Sequence, residues 1–282
     1  IRSGDVWWCQ GYSEPGAGSD LASLKTTAVR DGDDYILNGQ KTWTTLAQFA
    51  DWGFFLCRTD QDAPKPQMGI SFILVDMKTP GIEVRPIKLI DGGYEVNEVW
   101  LTDVRVPAEN LIGEENMGWT YAKFLLAHER SGIAGVARSK RGVEKLTEIA
   151  AAEMLDGKPL VEDMGFATKI SQLEIDLAAL EITELRTLAG EQAGQGPGPE
   201  SPLPQGKGTE IQQRLTELTL EAVGYYGAPD FRSFPDDGSN DFPIGPDYAH
   251  AAAPNYFNMR KTSIYGGSNE IQRNIITKMI LG

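Results

Sequence analysis

From residue 33 to about residue 110 the hydrophobic positions fall in short runs, at 35–37, 52–57, 70–76, 82–86 and 96–101. Turn signals separate them: Asp31-Gly32-Asp33, the prolines at 64 and 66, Thr79-Pro80-Gly81 and Asp91-Gly92-Gly93. Several short strands at this spacing predict a small β-barrel or sandwich, closed off by Val106-Pro107-Ala108-Glu109-Asn110. After Gly113 the period changes. Tyr121, Phe124, Leu125, His128, Ile133, Val136, Val143, Leu146, Ile149 and Ala150 recur at helical spacing and predict one long helix, stopped at 154–157. A second long helix is expected over 170–188, a third over 211–223 ending at Gly224, and two short ones over 255–260 and 268–281. The Gly/Pro-rich stretch 194–208 and the irregular stretch 231–254 read as loops. The expected fold class is therefore α+β: a β-barrel middle domain over 1–112, followed by a C-terminal helical bundle over 113–282.

Composition narrows the partners. The formal charge of −14 argues against nucleic acid and anionic membranes. No run of about 18 apolar residues occurs, so no membrane span is expected. Cys9 and Cys57 lack metal-type spacing and read as buried thiols in a reducing, cytoplasmic compartment. The opening Ile1-Arg2-Ser3-Gly4-Asp5 reads as neither a signal peptide nor a methionine start, so a chain cut upstream is expected.

Two segments carry candidate chemistry. Gly11-Tyr12-Ser13-Glu14-Pro15-Gly16-Ala17-Gly18-Ser19-Asp20 is a turn-rich loop that lets a ligand approach the backbone. Asn38-Gly39-Gln40-Lys41-Thr42-Trp43-Thr44-Thr45 sets an indole between hydroxyls, a flat face with donors beside it. Either alone is also an ordinary surface turn or a core tryptophan. Together with Ile264-Tyr265-Gly266-Gly267-Ser268-Asn269-Glu270-Ile271-Gln272-Arg273, their order and spacing resemble the acyl-CoA dehydrogenase family over nearly the whole chain.

That resemblance implies FAD as cofactor, an acyl-CoA substrate and an electron-transfer flavoprotein as electron acceptor. It implies removal of an α-proton and a β-hydride to give a trans-2-enoyl-CoA. It also implies a helical domain ahead of the β domain that the given sequence lacks. By matched position, Ser13, Ser19, Trp43, Thr44, Thr45, Gly267 and Ser268 would contact the cofactor, and Ser19, Arg130 and Tyr265 the substrate. Many family members carry a catalytic Glu where this chain has Gly266, and a glycine cannot abstract a proton. A minority place the carboxylate on the first long helix just before an Arg, which here is Glu129 in Leu126-Ala127-His128-Glu129-Arg130. Gly266 would keep its backbone N–H as a donor to the thioester oxygen. Read without the resemblance, Glu129 is a helix-surface acid pairing with Arg130 or Lys123, and His128 a core or interface histidine.

A second departure concerns assembly. The family's Arg-x-x-Phe-Gly segment, whose Arg reaches the cofactor's diphosphate across a subunit interface, is replaced by Ala151-Ala152-Glu153-Met154-Leu155-Asp156-Gly157-Lys158-Pro159-Leu160, with both the Arg and the Phe gone. Glu153 would bring like charge near that diphosphate. The adenine-side turn is likewise altered, to Val223-Gly224-Tyr225-Tyr226-Gly227. The expectation is a hetero-oligomer with a second acyl-CoA dehydrogenase-like chain, resembling bacterial enzymes for pimeloyl-type and sterol side-chain acyl-CoAs; a homotetramer is the alternative. Two other readings stay open at this point: a non-catalytic partner subunit, and a flavin oxidase or monooxygenase on the same scaffold.

Overall fold

The computed structural model describes residues 3–194, 203–229 and 244–282, the side chains of 127–133 and 191 excepted. The chain divides into two compact units, residues 1–89 with 93–127, and residues 90–92 with 128–282.

The first unit is one seven-stranded sheet. Its strands are β1 (Trp8–Gly11), β2 (Thr27–Asp31), β3 (Asp34–Thr45), β4 (Trp52–Arg58), β5 (Ile70–Asp76), β6 (Ile82–Ile87) and β7 (Val96–Pro107). They lie in the order β1-β4-β2-β3-β7-β6, with β5 added on β4. Gly32, at the first central position of the β2–β3 hairpin, takes φ +61, which this tight turn requires. Alternation along the strands sends Tyr35, Leu37, Phe55, Cys57, Ile73, Val75, Val99, Leu101 and Val104 into one core. The Phe55 ring fits there because Gly11 and Gly53 have no side chain; a Cβ at either would come within 2.3 Å of it. A second cluster gathers Tyr12, Leu24, Leu56, Ile70 and Ala122, where the Tyr12 ring stands edge-on to the stacked Phe54–Phe72 pair. This cluster seats the loop that follows β1. Strands β1 and β2 were not foreseen, and β3 and β7 run well past the apolar runs that signalled them.

The second unit is helical. Helix α1 (Gly118–Ala134) contributes residues to both units; α2 (Val136–Ala152), α3 (Met164–Gln192), α4 (Leu203–Val223), α5 (Ala252–Met259) and α6 (Asn269–Leu281) follow. Leu146, Ile149, Ile170, Leu173, Leu177, Leu180, Ile211 and Leu218 form their shared core. Two expectations are corrected here. The single long helix over 121–150 is two helices, because Gly135 takes φ +62 and breaks the hydrogen-bond ladder although the apolar spacing continues across it. Residues 203–208, read as loop, are the first turns of α4, where Pro204 costs no backbone bond. Helix α2 stops at a small hairpin, Met154–Leu155 paired with Lys158–Pro159. Of the loop expected over 231–254, residues 231–243 lie outside the described residues. Among the described residues no helix is long and apolar enough to cross a membrane. Both cysteines are free and buried, and burial pushes each thiol up to about 12.

Candidate active site

In the first unit the 11–20 loop and strand β3 are joined by a buried ion pair. Lys41 is fully buried, and its Nζ donates to Glu14 Oε1 at 2.8 Å, to Leu56 O at 2.7 Å and to Tyr12 O at 3.2 Å. Three donors thus meet three acceptors, and the buried ammonium is satisfied. The Glu14 carboxylate also accepts from the backbone N–H of Thr26 on Oε1 at 2.9 Å and of Lys25 on Oε2 at 2.6 Å. Burial would raise the Glu14 carboxyl; the Lys41 ammonium and these donors outweigh it and hold the group below its ordinary value. Thr42 N donates to Ser13 O at 2.9 Å, which ties the expected cofactor-side serine to the strand beside Trp43. Neither Glu14 nor Lys41 was singled out from sequence, although both lie inside the segments that were.

Immediately after Lys41 the strand is irregular. Its register with β7 shifts between Lys41 and Thr44, and Trp43 takes φ +59, a strained value for a bulky residue. The indole is 58 % exposed, and Thr45 is exposed with it. Thr44 between them is fully buried, with its carbonyl accepting from Asn97 Nδ2 at 3.0 Å and its hydroxyl unpartnered among the described residues. So Trp43 and Thr45 face out while Thr44 faces in. Ser19 stands exposed near the end of the loop.

In the second unit the 264–268 turn leads into α6. Gly266 and Gly267 take φ +67 and +97, values that favour glycine. Ser268 caps α6, its Oγ accepting from Ile271 N at 3.4 Å, and Tyr265 is 44 % exposed. Among the described residues the backbone N–H groups of Gly266 and Gly267 have no hydrogen-bond partner. Glu129 and Arg130 lie in helix α1, and their side chains fall outside the described residues, as does that of His128. Glu153 is engaged locally: its Oε1 accepts from Tyr248 Oη at 2.8 Å, and burial together with this carboxylate pushes the Tyr248 phenol up to about 12.

Comparison with known proteins agrees with both units. Residues 9–104 match the acyl-CoA dehydrogenase middle domain, and residues 116–281 match the acyl-CoA dehydrogenase C-terminal domain. The chain belongs to the acyl-CoA dehydrogenase family. It is 35 % identical over 285 residues to the acyl-CoA dehydrogenase IpdE1 of Mycobacterium tuberculosis, covering 100 % of this chain and 68 % of that protein. It is 36 % identical over 279 residues to FadE34 of the same organism, covering 99 % of this chain and 35 % of that one. Among solved structures, the ChsE4–ChsE5 complex from M. tuberculosis superposes with a TM-score of 0.83 at 32 % identity, over 99 % of this chain and 70 % of that chain. The chain thus spans between about a third and two thirds of these relatives' own lengths.

The acyl-CoA dehydrogenase family implies FAD, and the first unit's residues fit a flat, hydrogen-bonding ring. An indole is held in the open at a backbone angle it would not choose, and Thr45, two residues on, is exposed as well. The loop carrying Ser13 is locked to that strand by a saturated buried ion pair. The 151–160 segment, expected from the resemblance to lie at the cofactor's diphosphate, fits that group less well, for it presents Glu153, bonded to Tyr248, and no Arg.

Proposed function

We propose that this chain is the base- and flavin-ring-bearing part of an FAD-dependent acyl-CoA dehydrogenase that converts an acyl-CoA thioester to its trans-2-enoyl-CoA. The bound FAD would supply the hydride acceptor. Trp43 would pack its exposed face on the ring, with Thr45 and Ser13 as hydrogen-bonding neighbours that orient it. Ser19 and Tyr265 would border the acyl chain, and Arg130 would flank the base. Glu129 would take the α-proton, and the free N–H of Gly266 would donate to the thioester oxygen as negative charge develops there. The electrons would pass on to an electron-transfer flavoprotein.

The observation that carries this reading is the exposed, strained Trp43 beside a loop fixed by Lys41 and Glu14. Such strain persists where surrounding structure overdetermines it, and it clusters at ligand sites. The absent diphosphate Arg, the Glu153–Tyr248 bond, and a solved relative that is itself a two-chain complex support a hetero-oligomer in which the partner supplies the missing cation.

The test is anaerobic mixing of the full-length protein, with its partner chain, against a panel of acyl-CoAs. Bleaching of the oxidised flavin absorbance, with enoyl-CoA detected by mass spectrometry, is expected in the wild type and lost in Glu129→Gln. Full bleaching in the variant would remove Glu129 from its role. Flavin reoxidation by air within seconds would turn the assignment toward an oxidase.

A further inference from the structure

Helix α4 faces the 264–268 turn with a seam of buried polar side chains. Gln205 is fully buried, and its Nε2 donates at 2.9 Å to Gly266 O and at 2.9 Å to Gly267 O. Only the amide nitrogen can make both bonds, since carbonyls accept and do not donate. One turn on, Thr209 Oγ1 donates to Asn269 Oδ1 at 3.1 Å, at the start of α6. Further along the same helix Gln212 Nε2 donates to Ala134 O at 3.2 Å, five residues beyond Glu129. Gly208 permits that approach, for a Cβ there would come within 2.4 Å of Ala134 O. One face of α4 therefore holds both the end of the helix that carries Glu129 and the turn that carries Gly266.

Two consecutive glycines are the most mobile backbone a chain can have, and each costs conformational entropy to fix. The Gln205 clamp removes that freedom. Every described peptide bond is trans, so a carbonyl and the following N–H share one plane and point opposite ways. Drawing Gly266 O and Gly267 O onto Gln205 turns the N–H groups of Gly267 and Ser268 away from α4. On the other side of Gly266, the N–H groups of Ile264 and Tyr265 are both tied to Lys261 O, at 2.9 and 3.3 Å. Gly266 is thus held from both flanks with its own N–H unpartnered.

We propose that Gln205 is a positioning residue for the thioester-binding turn. By fixing the two peptide planes that follow Gly266 it pins the backbone on that residue's C-terminal side, as the Lys261 carbonyl does on the other, and so holds the free Gly266 N–H in place for the thioester oxygen, without touching substrate itself. The inference rests on the reading of Gly266 as the thioester donor given above. It assigns to α4 the rigidity that a glycine at position 266 gives up.

The test uses the full-length protein with FAD and its partner chain, and compares wild type with Gln205→Met and Gln205→Lys. Methionine keeps the length and loses the donor, whereas the lysine ammonium can still donate to both carbonyls. Infrared difference spectra of bound enoyl-CoA report the thioester carbonyl directly. The wild type is expected to lower the carbonyl stretch relative to free enoyl-CoA. Gln205→Met should lose most of that lowering and about 100-fold in kcat/KM, carried mainly by kcat, and Gln205→Lys should recover much of both. A folded Gln205→Met that keeps the wild-type carbonyl frequency overturns the proposal and leaves the assigned reaction standing. If Gln205→Met does not fold, Gln205→Lys decides alone: a retained shift supports the clamp, and a folded protein without the shift overturns it. A wild type that turns over acyl-CoA through Glu129 without any carbonyl shift also overturns it, whereas absence of both turnover and shift defeats the functional reading beneath it.

Discussion

Lys41 and Glu14, 27 positions apart in sequence, meet at 2.8 Å in the interior of the first unit, with side chains 0 % and 7 % exposed. The pair does more than neutralise itself, since Lys41 also gathers the carbonyls of Tyr12 and Leu56. Removing one partner of such a pair leaves an uncompensated charge and unsatisfied backbone groups. Lys41→Met should therefore destabilise the protein by about 3–5 kcal/mol. Chemical denaturation of the flavin-free protein checks this. A loss below about 1 kcal/mol would mean that the loop is held by something else.

The same pair gives a pH signature. Glu14 is held below its ordinary value of 4.5 in the folded chain, and so it binds protons less readily than in the unfolded chain. Its contribution to stability is full above the unfolded pKa and is lost as pH falls through the lower, folded pKa. Denaturation curves taken from pH 6 downward should show stability falling with acid from about pH 4.5. Glu14→Gln should have a shallower fall over that window, and an unchanged slope would contradict the assignment.

Trp43 keeps a strained backbone and an exposed ring, a combination that stability alone does not favour. Asparagine tolerates φ near +60, so Trp43→Asn should make the flavin-free protein more stable by roughly 1 kcal/mol. It should also weaken FAD retention at least tenfold. Thermal melting without cofactor and flavin titration measure the two effects separately. A variant that melts lower and binds FAD normally would show the indole to be structural.

The fold was legible where side-chain period and turn chemistry agree. Residues 70–76 read as a strand and are one, with burial alternating from Ser71 onward. Strand β2 escaped notice because only Ala28 along it is fully buried, and the rest carries no clear alternation. The break at Gly135 was hidden because Ile133 and Val136 keep helical spacing across it. The start of α4 was hidden because Pro204, Gly206 and Gly208 have loop composition; the two glycines gain meaning only from what packs beside them, Ala134 above all. At the candidate site, the glycine turns and the indole could be found from residue type. Lys41, Glu14 and Gln205 could not, because a lysine in a strand reads as surface and a glutamine in a Gly/Pro-rich stretch reads as solvated loop until its distant partner is known.

The engagement of Glu153 by Tyr248 bears on assembly. With no arginine in this segment, the chain purified alone should carry little flavin. Co-expressed with a second acyl-CoA dehydrogenase-like chain, it should carry about one flavin per unlike pair. Absorbance per chain, combined with the mass of the complex, reads this out. A full flavin complement on the isolated chain would instead support a homo-oligomer.

Abstraction of the α-proton by Glu129 is open to direct measurement through solvent isotope incorporation. The full-length protein is incubated in deuterated buffer with an acyl-CoA that it binds, and deuterium at the α-carbon is followed by mass spectrometry. Exchange is expected in the wild type, with a fall of about 10² to 10⁴-fold in Glu129→Gln and flavin content unchanged. Exchange at the wild-type rate in Glu129→Gln would contradict it and place the base elsewhere.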